Sequence, residues 1–532
     1  MGGSILVDRH GVPARQSTLL GLGRHYEGAR ANKTGNAAWR TSAVAGASEA
    51  RHDRTPIAAR ARDLIRNNPT AATALRKMMG MLIGPGFRLS SKPDARGLGV
   101  DPVEALAFGR EIEKVWHRWA YGQKHNCDIR GRSNYGKLSR VRAADRYVTG
   151  ESFHIHRWRE DRVDPSRGLW FATCLQLVDG DRISNPDGRM DQPHLRDGLD
   201  LDDDGMVYQY WARDRHPADP VTSADRWTWT PILRIDEDGR RVMVHSYSEM
   251  RSEQLRGVSP FAPILMRLKE TDRYITAELG AAIINALLTG FVKTSSSPEL
   301  VAEALGMADD ATRFVDWSRA REEVYGEQGI GIGENRFAFL GVGDDVEIPN
   351  TSRQTTSVPE FKKSQMRDVA GPLGHGYAAL SGDYESMNYS SSRAEMAEIW
   401  RGVLQEREEE IDATVRPDFA AIVEEAFDRG YLVEPDGWPS FENEGDAYLN
   451  ATFTGPGRGY VDPVKEAQGN QIQLEQGSTT LEEICASQGK HWRDVLAQRR
   501  IEKDELEALG LEELNLEAAL LVASQTEKEE NQ

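Results

Sequence analysis

The chain has 532 residues, 39% of them hydrophobic and 28% charged, and its formal net charge is -18. This length predicts about three or four structural units. Residues 401–532 hold 30 acidic and 12 basic side chains, whereas residues 1–90 hold 14 basic and 5 acidic ones. The acidity disfavours a general nucleic-acid-binding protein, because an acidic surface repels phosphate.

The three cysteines, Cys127, Cys174 and Cys485, are far apart and show no metal-binding spacing. We expect reduced thiols in a cytosolic setting. The N-terminus lacks the pattern of a signal peptide. The longest apolar run, residues 279–292, is interrupted by two glycines and an asparagine and is shorter than the about twenty residues that a membrane span needs. We therefore expect no membrane segment.

Residues 1–50 are rich in Gly, Ala, Ser and Arg, and we expect an arm that is ordered only when a partner holds it. Helical spacing of apolar residues predicts a helix at 51–81, divided at Pro69 and ended by the Gly-Pro-Gly sequence at 84–86. A second helix is predicted at 102–121, because an aspartate cap precedes a proline at its start.

Five arginines lie in or next to the first predicted helix: Arg51, Arg54, Arg60, Arg62 and Arg66. Arginines grouped in this way are able to contact a phosphate backbone. A solvated helix face, or salt bridges to an acidic neighbouring subunit, explains them equally well.

From residue 150 to about residue 245 the pattern changes to strands between turn signals, with a predicted hairpin tip at 236–239. Residues 200–205 match the first half of a calcium-binding loop. Trp211, however, occupies the twelfth position, where that loop needs a glutamate ligand. We interpret these residues as an acidic turn between two strands.

His154 and His156 lie two residues apart, and therefore on one face of a predicted strand, as two zinc ligands do. The sequence shows no third ligand at a fitting spacing. We interpret both as ordinary strand histidines, and we expect no metal and no cofactor.

A long helix is predicted at 260–291, with small residues near its end that permit close approach of another helix. Residues 294–356 contain short strand-like pieces separated by glycines. Gly329, Gly331 and Gly333 raise the alternative of a nucleotide-binding loop, but they match neither the dinucleotide fingerprint nor the P-loop. A tightly turning connection between strands is the favoured interpretation.

The strongest helix signal lies at 390–424, where Ser392 and Glu395 have the spacing of a capping box. Pro417 predicts a kink or break near Val415, because proline lacks an N–H donor. Further helices are predicted beyond residue 462. The features that predict them are a start at Asp462, a capping-box glutamate three residues after each of Thr479 and Thr480, and leucine- and glutamate-rich stretches at 491–509 and 511–523.

A segment rich in glycine and aromatic residues, 371–389, precedes the long helix. Connections longer than about twelve residues are usually functional or disordered. Four aromatic or imidazole rings argue against disorder, so we interpret this segment as a mobile functional loop.

The sequence LSGDYESMNYSSSRAEMAEIWR, at residues 380–401, resembles a signature of the lambda-type portal proteins of tailed bacteriophages. That signature reads approximately Leu-Ser-x-Asp-Tyr-Ser-x-x-Asn-Tyr-Ser-Ser-x-Arg, followed by Trp-Arg, and Glu385 replaces its usual serine. The matching residues are Asp383, Tyr384, Asn388, Tyr389, Ser390, Ser391, Arg393, Trp400 and Arg401. Further similarities occur in the family's order at 62–71, 176–186, 251–263 and 461–468.

The resemblance implies an α+β portal fold, with a mixed α/β wing, long stem helices, a clip and a C-terminal helical crown, in a ring oligomer. The implied segments are an N-terminal arm at 1–50, wing at 51–259, first stem helix at 260–293, clip at 294–357, second stem helix at 358–375, tunnel loop at 376–390, long kinked wing helix and return at 391–460, and crown and tail at 461–532.

The resemblance also implies a function, without enzyme activity. A dodecameric ring at one capsid vertex is expected to be the conduit for packaging and ejection of double-stranded DNA. The implied partners are the terminase large subunit, the head-tail joining protein, and the major capsid and scaffold proteins, with no membrane. The expected location is the portal vertex of the virion, and the host cytoplasm during assembly.

Within such a ring, the loop is expected to project into the bore. The candidates for DNA contact in it are Tyr377, Leu380, Ser381, Asp383, Tyr384, Met387, Asn388 and Tyr389. On the preceding helix, Lys362, Lys363 and Arg367 are candidates for the channel wall, with ordinary surface charge as the alternative.

Two functions of other classes remain open from the sequence. One is a nucleotide-dependent enzyme that uses the glycines at 329–333. The other is a monomeric DNA-binding module based on the arginine-rich N-terminal region, which the net acidity disfavours.

Overall fold

The computed structural model describes residues 43–220, 227–287, 291–292, 338–339, 357–385, 388–459 and 462–508. Helices predominate, and most strands lie together in the middle of the chain, so the α+β class is confirmed. The described helices are α1 (Gly46–Glu49), α2 (Arg54–Asn67), α3 (Pro69–Leu82), α4 (Ala95–Leu98), α5 (Pro102–Tyr121), α6 (Tyr135–Thr149), α7 (Leu265–Leu287), α8 (Ser357–Ala370), α9 (Tyr377–Ser381), α10 (Tyr389–Glu410), α11 (Arg416–Asp428), α12 (Phe441–Tyr448), α13 (Pro463–Glu475), α14 (Leu481–Ser487) and α15 (Trp492–Ala508).

The described strands form two larger sheets and two strand pairs. They are β1 (Arg88–Ser91), β2 (Glu151–Trp158), β3 (Thr173–Val178), β4 (Leu195–Arg196), β5 (Leu199–Leu201), β6 (Val207–Arg213), β7 (Trp229–Leu233), β8 (Met243–Tyr247), β9 (Phe291–Val292), β10 (Ala338–Phe339) and β11 (Ala451–Thr454). One antiparallel sheet has the order β3-β2-β8 and the other β4-β5-β6-β7. β1 pairs antiparallel with β11, and β9 pairs in parallel with β10.

The N-terminal helices begin where the sequence predicts. Asn68 separates α2 from α3, and its side chain accepts the Ala71 N–H at 2.9 Å while Pro69 takes the first helical position. At the start of α5, the Asp101 carboxylate accepts the Val103 N–H at 2.7 Å. Both predicted starts are confirmed, because each depends on hydrogen bonds between residues close in sequence.

The acidic turn between two strands is also confirmed. It connects β5 to β6, and Asp202 accepts the Met206 N–H at 2.7 Å. The Asp200 carboxylate accepts hydrogen bonds from the Gln209 side chain at 2.7 Å and the Trp211 indole at 2.8 Å. These carboxylates are therefore used within the turn and across the strands. The predicted helix at 260–291, by contrast, ends too late, because β9 starts at Phe291 and pairs with β10.

α10 begins earlier than predicted. Its capping box consists of Asn388 and Ser391, whose side chains exchange hydrogen bonds with each other's backbone N–H groups at 2.9 and 3.1 Å. The predicted pair Ser392 and Glu395 is wrong, because Asn388 caps the helix one turn earlier and places both residues inside it.

The irregularity predicted near Val415 is confirmed. The chain leaves α geometry in a π-helical turn, Ile411–Val415, and α11 then begins with Pro417 in its first turn. A helix start tolerates proline, since the first N–H groups have no partner within the helix. Pro417 therefore fits at the restart of the helix.

At the C-terminal end, the capping box of α14 joins Thr480 and Glu483, as predicted. α15 lies inside the predicted helix at 491–509. The predicted helix at 511–523 lies outside the described residues.

Three apolar cores hold these elements together. The largest joins α3, α5, α6, α10, α11 and β11, with Trp116 packed edge-on against Tyr135 and Phe419 at centroid distances of 4.9 and 5.7 Å. A second joins α2, α3, α6 and the ends of α7 and α8, and the third lies between the two larger sheets. The three cysteines are buried free thiols. None of the described helices is both long enough and apolar enough to cross a membrane.

The cap of α5 gives a direct test of these assignments. We expect Asp101→Ala to lower the free energy of unfolding by about 1 kcal/mol, because the first turn loses its side-chain acceptor. Urea denaturation measures the change. Asp204→Ala, which removes an exposed carboxylate in the turn between β5 and β6, is the matched control and is expected to change stability by less than about 0.5 kcal/mol. Equal effects of the two substitutions would contradict the cap.

Candidate functional site

The segment after α8 is more ordered than a plain loop. It contains a 3₁₀ turn, Gly371–Leu373, and the short helix α9. Gly374 and Gly382 end these turns with φ of 70° and 76°, values that glycine adopts without strain. The described part of the segment predicted as a mobile functional loop at 371–389 therefore contains short helical turns, which these two glycines terminate.

The base of this segment is fastened to the helices beneath it. The Tyr147 hydroxyl donates to the Leu373 carbonyl at 2.7 Å, and the His375 ring lies with Nε2 3.0 Å from the Ala74 carbonyl. Burial lowers the pKa of His375, so the ring is neutral and donates through Nε2. The Lys77 ammonium donates to the Ala379 carbonyl. Side chains distant in sequence thus hold the segment at three successive points.

Tyr377 lies at the centre of a polar cluster on the outer side of α9. Its hydroxyl donates to Asp383 Oδ2 at 2.8 Å, and this hydrogen bond is the main cause that lowers the pKa of Asp383. Lys363 Nζ lies 3.6 Å from the same oxygen. The cationic groups of Lys363 and Arg367 lie 5.7 and 5.3 Å from the centre of the Tyr377 ring. Two of the predicted channel cations therefore contact the loop itself.

The remaining candidates differ in exposure. Leu380 is only 4% exposed and packs in the second core, whereas Tyr384 is 56% exposed. Ser381 donates to the Tyr377 carbonyl at 2.8 Å, and Asn388 caps α10. Lys362 is exposed. Met387, and the side chain of Tyr389, lie outside the described residues.

Most of the N-terminal arginines have acidic partners within the same chain. Arg54 lies 3.0 Å from Glu151, and Arg62 lies 3.0 Å from Asp179. Further ion pairs join Arg51 to Asp191, Arg54 to Asp197, Arg62 to Asp181 and Arg66 to Asp63. These ion pairs lie within the chain, so the guanidinium groups of Arg51, Arg54 and Arg62 are not a free phosphate-binding patch.

A buried cluster around Asp418 was not predicted. His154 and His156 both place Nε2 2.7 Å from Asp418 Oδ1, while Arg142 Nη1 and the Tyr135 hydroxyl donate to Oδ2 at 2.5 and 2.8 Å. Asp418 and Arg142 are each only 1% exposed. Burial opposes ionisation of Asp418, but His154, Arg142 and His156 together keep its pKa well below the usual range.

Asp418 supplies the third ligand that the sequence lacked, since two imidazole nitrogens and a carboxylate oxygen are a zinc donor set. Two observations nevertheless disfavour a metal. Arg142 Nη1 lies 3.2 Å from His154 Nε2, so a guanidinium stands beside the point where a cation would bind. His154 Nδ1 is buried and has no hydrogen-bond partner in the described chain, whereas a metal-bound histidine usually donates its second N–H. The cluster is therefore better explained as a network of hydrogen bonds and ion pairs around Asp418 than as a metal site.

His156 extends this network to the neighbouring loop. Its Nδ1 lies 2.7 Å from the Arg241 carbonyl, and its Nε2 faces Asp418. Both hydrogen bonds form only when both ring nitrogens carry hydrogen. The two histidines therefore connect β2 to α11. Sequence periodicity places them on one face of a strand but gives no sign of their partner 262 residues or more away. The alternative nucleotide loop at 329–333 lies outside the described residues.

Comparisons with known proteins identify the class. Residues 32–407 match the family described as phage portal protein, lambda family. Portal protein B of Escherichia phage lambda is 28% identical over 459 residues, which cover 85% of this chain and 84% of that protein. The portal protein of Escherichia phage N15 is 28% identical over 457 residues, with the same coverage of each chain.

A chain from the virion of a native gene transfer agent particle aligns at a TM-score of 0.36 and 14% identity, over 81% of this chain and 93% of that one. The family match, which spans more than half of the sequence, confirms that this is a phage portal protein with a portal function. The chain belongs to the lambda family of phage portal proteins.

The buried histidine predicts a pH dependence. Burial lowers the pKa of His154 to about 4, whereas an exposed histidine titrates near about 6.5. Between these values the unfolded chain binds the proton and the folded chain does not, so stability falls as the pH falls. His154→Gln removes the titration. From pH 6.5 to 4, we expect the wild type to lose up to about 3 kcal/mol more stability than this variant.

Chemical denaturation at a series of pH values measures this difference. The control is His52→Gln, which changes an exposed histidine and is expected to leave the wild-type pH dependence unaltered. Parallel curves for the wild type and His154→Gln would show that His154 does not titrate as described.

Proposed function

We propose that twelve copies of this chain form a closed ring at one vertex of a phage capsid, and that double-stranded DNA passes through it during packaging and ejection. Membership of the lambda portal family, and similarity to two phage portal proteins over 85% of the chain, support this. The family is a structural one, and the proposal assigns the chain no enzymatic activity.

In this proposal α7 and α8 are the two stem helices. Arg267, near the start of α7, pairs with Asp368 near the end of α8 at 2.7 Å. About two turns later on α7 and two turns earlier on α8, the rings of Tyr274 and Phe361 lie 4.7 Å apart. Contacts that advance along one helix and go back along the other define an antiparallel pair. The chain between them, residues 294–357, is then the clip at one end of that pair.

The remaining segments follow the chain order. Residues 1–50 are the N-terminal arm, 51–259 and 391–460 form the wing, and 461–532 form the crown and tail. The terminase large subunit and the head-tail joining protein dock at the clip, and the capsid and scaffold proteins surround the wing. The ring is part of the virion and assembles in the host cytoplasm.

The observation that supports a tunnel loop at 376–390 is that its base is fastened while its tip is exposed. Lys77 and His375 hold the base, and Leu380 is buried beneath it. Tyr384 lies beyond Gly382 and is exposed. We therefore assign Tyr384 and its neighbours at 382–388 to DNA contact, and Leu380 to anchoring.

Charge supports sliding rather than tight binding. A ring repeats each side chain in every copy, so a few cations per chain suffice to line a channel. Lys363 lies beside Asp383, whereas Lys362 is exposed and forms no ion pair with any described residue. Tight binding to DNA arises when many cations neutralise phosphates and release counterions. The acidic balance of residues 401–532 limits that effect.

The tunnel loop is tested by deleting residues 382–387. We expect the variant to assemble and unfold like the wild type, because Leu380 and the Lys77 contact remain, and to package or retain several-fold less DNA. Complementation of a portal-defective phage, followed by measurement of DNA per particle, reads out the effect. Tyr384→Ala is the finer change, with the exposed Tyr208→Ala as its matched control. Normal genome filling in the deletion variant would refute the role of the loop.

The ring itself is tested by electron microscopy of the purified chain. We expect hollow rings whose opening is at least as wide as duplex DNA, with twelve subunits in the assembled particle. A chain that stays a compact monomer under every assembly condition would overturn the proposal.

A further inference from the structure

A cavity of about 950 Å³ lies between β1, α5 and α15. The residues that line it include the apolar Phe87, Leu89 and Leu496 and the basic Arg110, Lys114 and Arg500. This combination fits a ligand that carries both apolar and anionic groups.

Buried donor groups without partners surround this cavity. Trp116 Nε1, Trp492 Nε1 and Arg493 Nη2 are buried and have no hydrogen-bond partner among the described residues. His491, in the same lining, has a buried Nε2 that likewise has no hydrogen-bond partner among the described residues. Trp116 is only 2% exposed. A buried donor left unpaired costs about 1–3 kcal/mol, and such groups are rare. Several of them belong to residues that line one cavity, although the atoms themselves are enclosed by protein.

The charge of the lining points in the same direction. Five arginine and lysine side chains line the cavity, against two carboxylates, Glu113 and Asp494. Glu113 is already used, since it accepts hydrogen bonds from Arg493 and from the Ser91 N–H at 2.9 Å each. Arg110 has no ion pair with any residue in the described ranges. The cavity is therefore cationic, although the C-terminal quarter of the chain is strongly acidic.

α15 leaves room for such a ligand. No residue of this helix is buried, and two ion pairs join its start to α5 and β1: Arg493 pairs with Glu113, and Asp494 lies 3.8 Å from Arg88. Leu496 and Ile501 remain exposed. The helix thus covers the cavity without filling it.

We infer that the cavity binds the acidic, leucine-rich segment of this chain at residues 509–532. That segment follows directly on α15 and contains six glutamates and one lysine, together with leucines at 509, 511, 514, 516, 520 and 521. Leucines match the apolar residues of the lining, and glutamates match its cations. The phosphate backbone of DNA offers no counterpart to these apolar residues, which favours the peptide segment.

The cavity lies close enough to the end of α15 for the segment to reach it within one chain. Arg500, at the cavity, is eight positions before Ala508, a rise of about 12 Å along a helix. An extended chain spans about 3.4 Å per residue, so a few residues suffice to return. A neighbouring copy offers the same segment, and the experiment separates the two sources. The inference does not depend on the proposed ring or on DNA transport.

The first experiment is hydrogen exchange of the full chain, read by mass spectrometry over residues 509–523. We expect about tenfold slower exchange than for an unprotected peptide. Arg110→Glu is expected to abolish this protection, and Arg60→Glu, which reverses an exposed cation on α2, to preserve it. Exchange of the wild-type segment at the unprotected rate, or protection that appears only when duplex DNA is added, would overturn the inference.

A second measurement uses only the wild-type chain. A carbodiimide joins a lysine to a carboxylate in direct contact, so the wild-type chain is expected to yield an amide between Lys114 and a glutamate of the segment. A mixture of isotopically labelled and unlabelled chains then shows whether both ends come from one copy. Absence of any such cross-link from Lys114 or a neighbouring lysine to the segment would contradict binding in this cavity.

Discussion

The described structure depends on one buried carboxylate. Asp418, on α11, accepts hydrogen bonds from Arg142 and Tyr135 on α6 and faces His154 and His156 on β2. Removing one partner of a buried ion pair leaves an uncompensated charge that typically costs about 3–5 kcal/mol. Helices from both halves of the chain and the central strand of a sheet are thereby fixed to one point.

The π-helical turn before α11 explains how a single helical rod reaches this point. Glu410 and Asp418 both face α6, where Arg146 lies 3.5 Å from Glu410 and Arg142 lies 2.5 Å from Asp418. In an ideal α-helix, residues eight positions apart are rotated by about 80° from each other. A π turn winds less per residue, and the turn at Ile411–Val415 reduces this offset so that both carboxylates meet their arginines. Rare π turns often occur at functional positions, and here the turn aligns two buried charges.

Helix α6 also connects the cluster around Asp418 to the candidate loop, because the Tyr147 hydroxyl donates a hydrogen bond to the Leu373 carbonyl. The sequence predicts helix starts well where the hydrogen bonds are local, as at Asn68, Asp101 and Thr480. It cannot predict contacts such as Lys77 with Ala379, which are 302 positions apart. At α10 two local caps competed, and Asn388 with Ser391 formed instead of the later pair. The resemblance identified the family, but the fastening of the loop required the structure.

The ion pairs within the chain change the interpretation of its charge distribution. In the described part of the basic region at residues 1–90, Arg51, Arg54 and Arg62 pair with carboxylates inside the chain, as in the pairs of Arg54 with Glu151 and Arg62 with Asp179. These cations stabilise the fold and are unavailable to phosphate. In the proposed ring, DNA must pass without being retained, and each exposed cation adds to a salt-sensitive affinity for DNA. Internal pairing of the arginines, with an acidic C-terminal quarter, satisfies that requirement while leaving isolated cations such as Lys362 to face solvent.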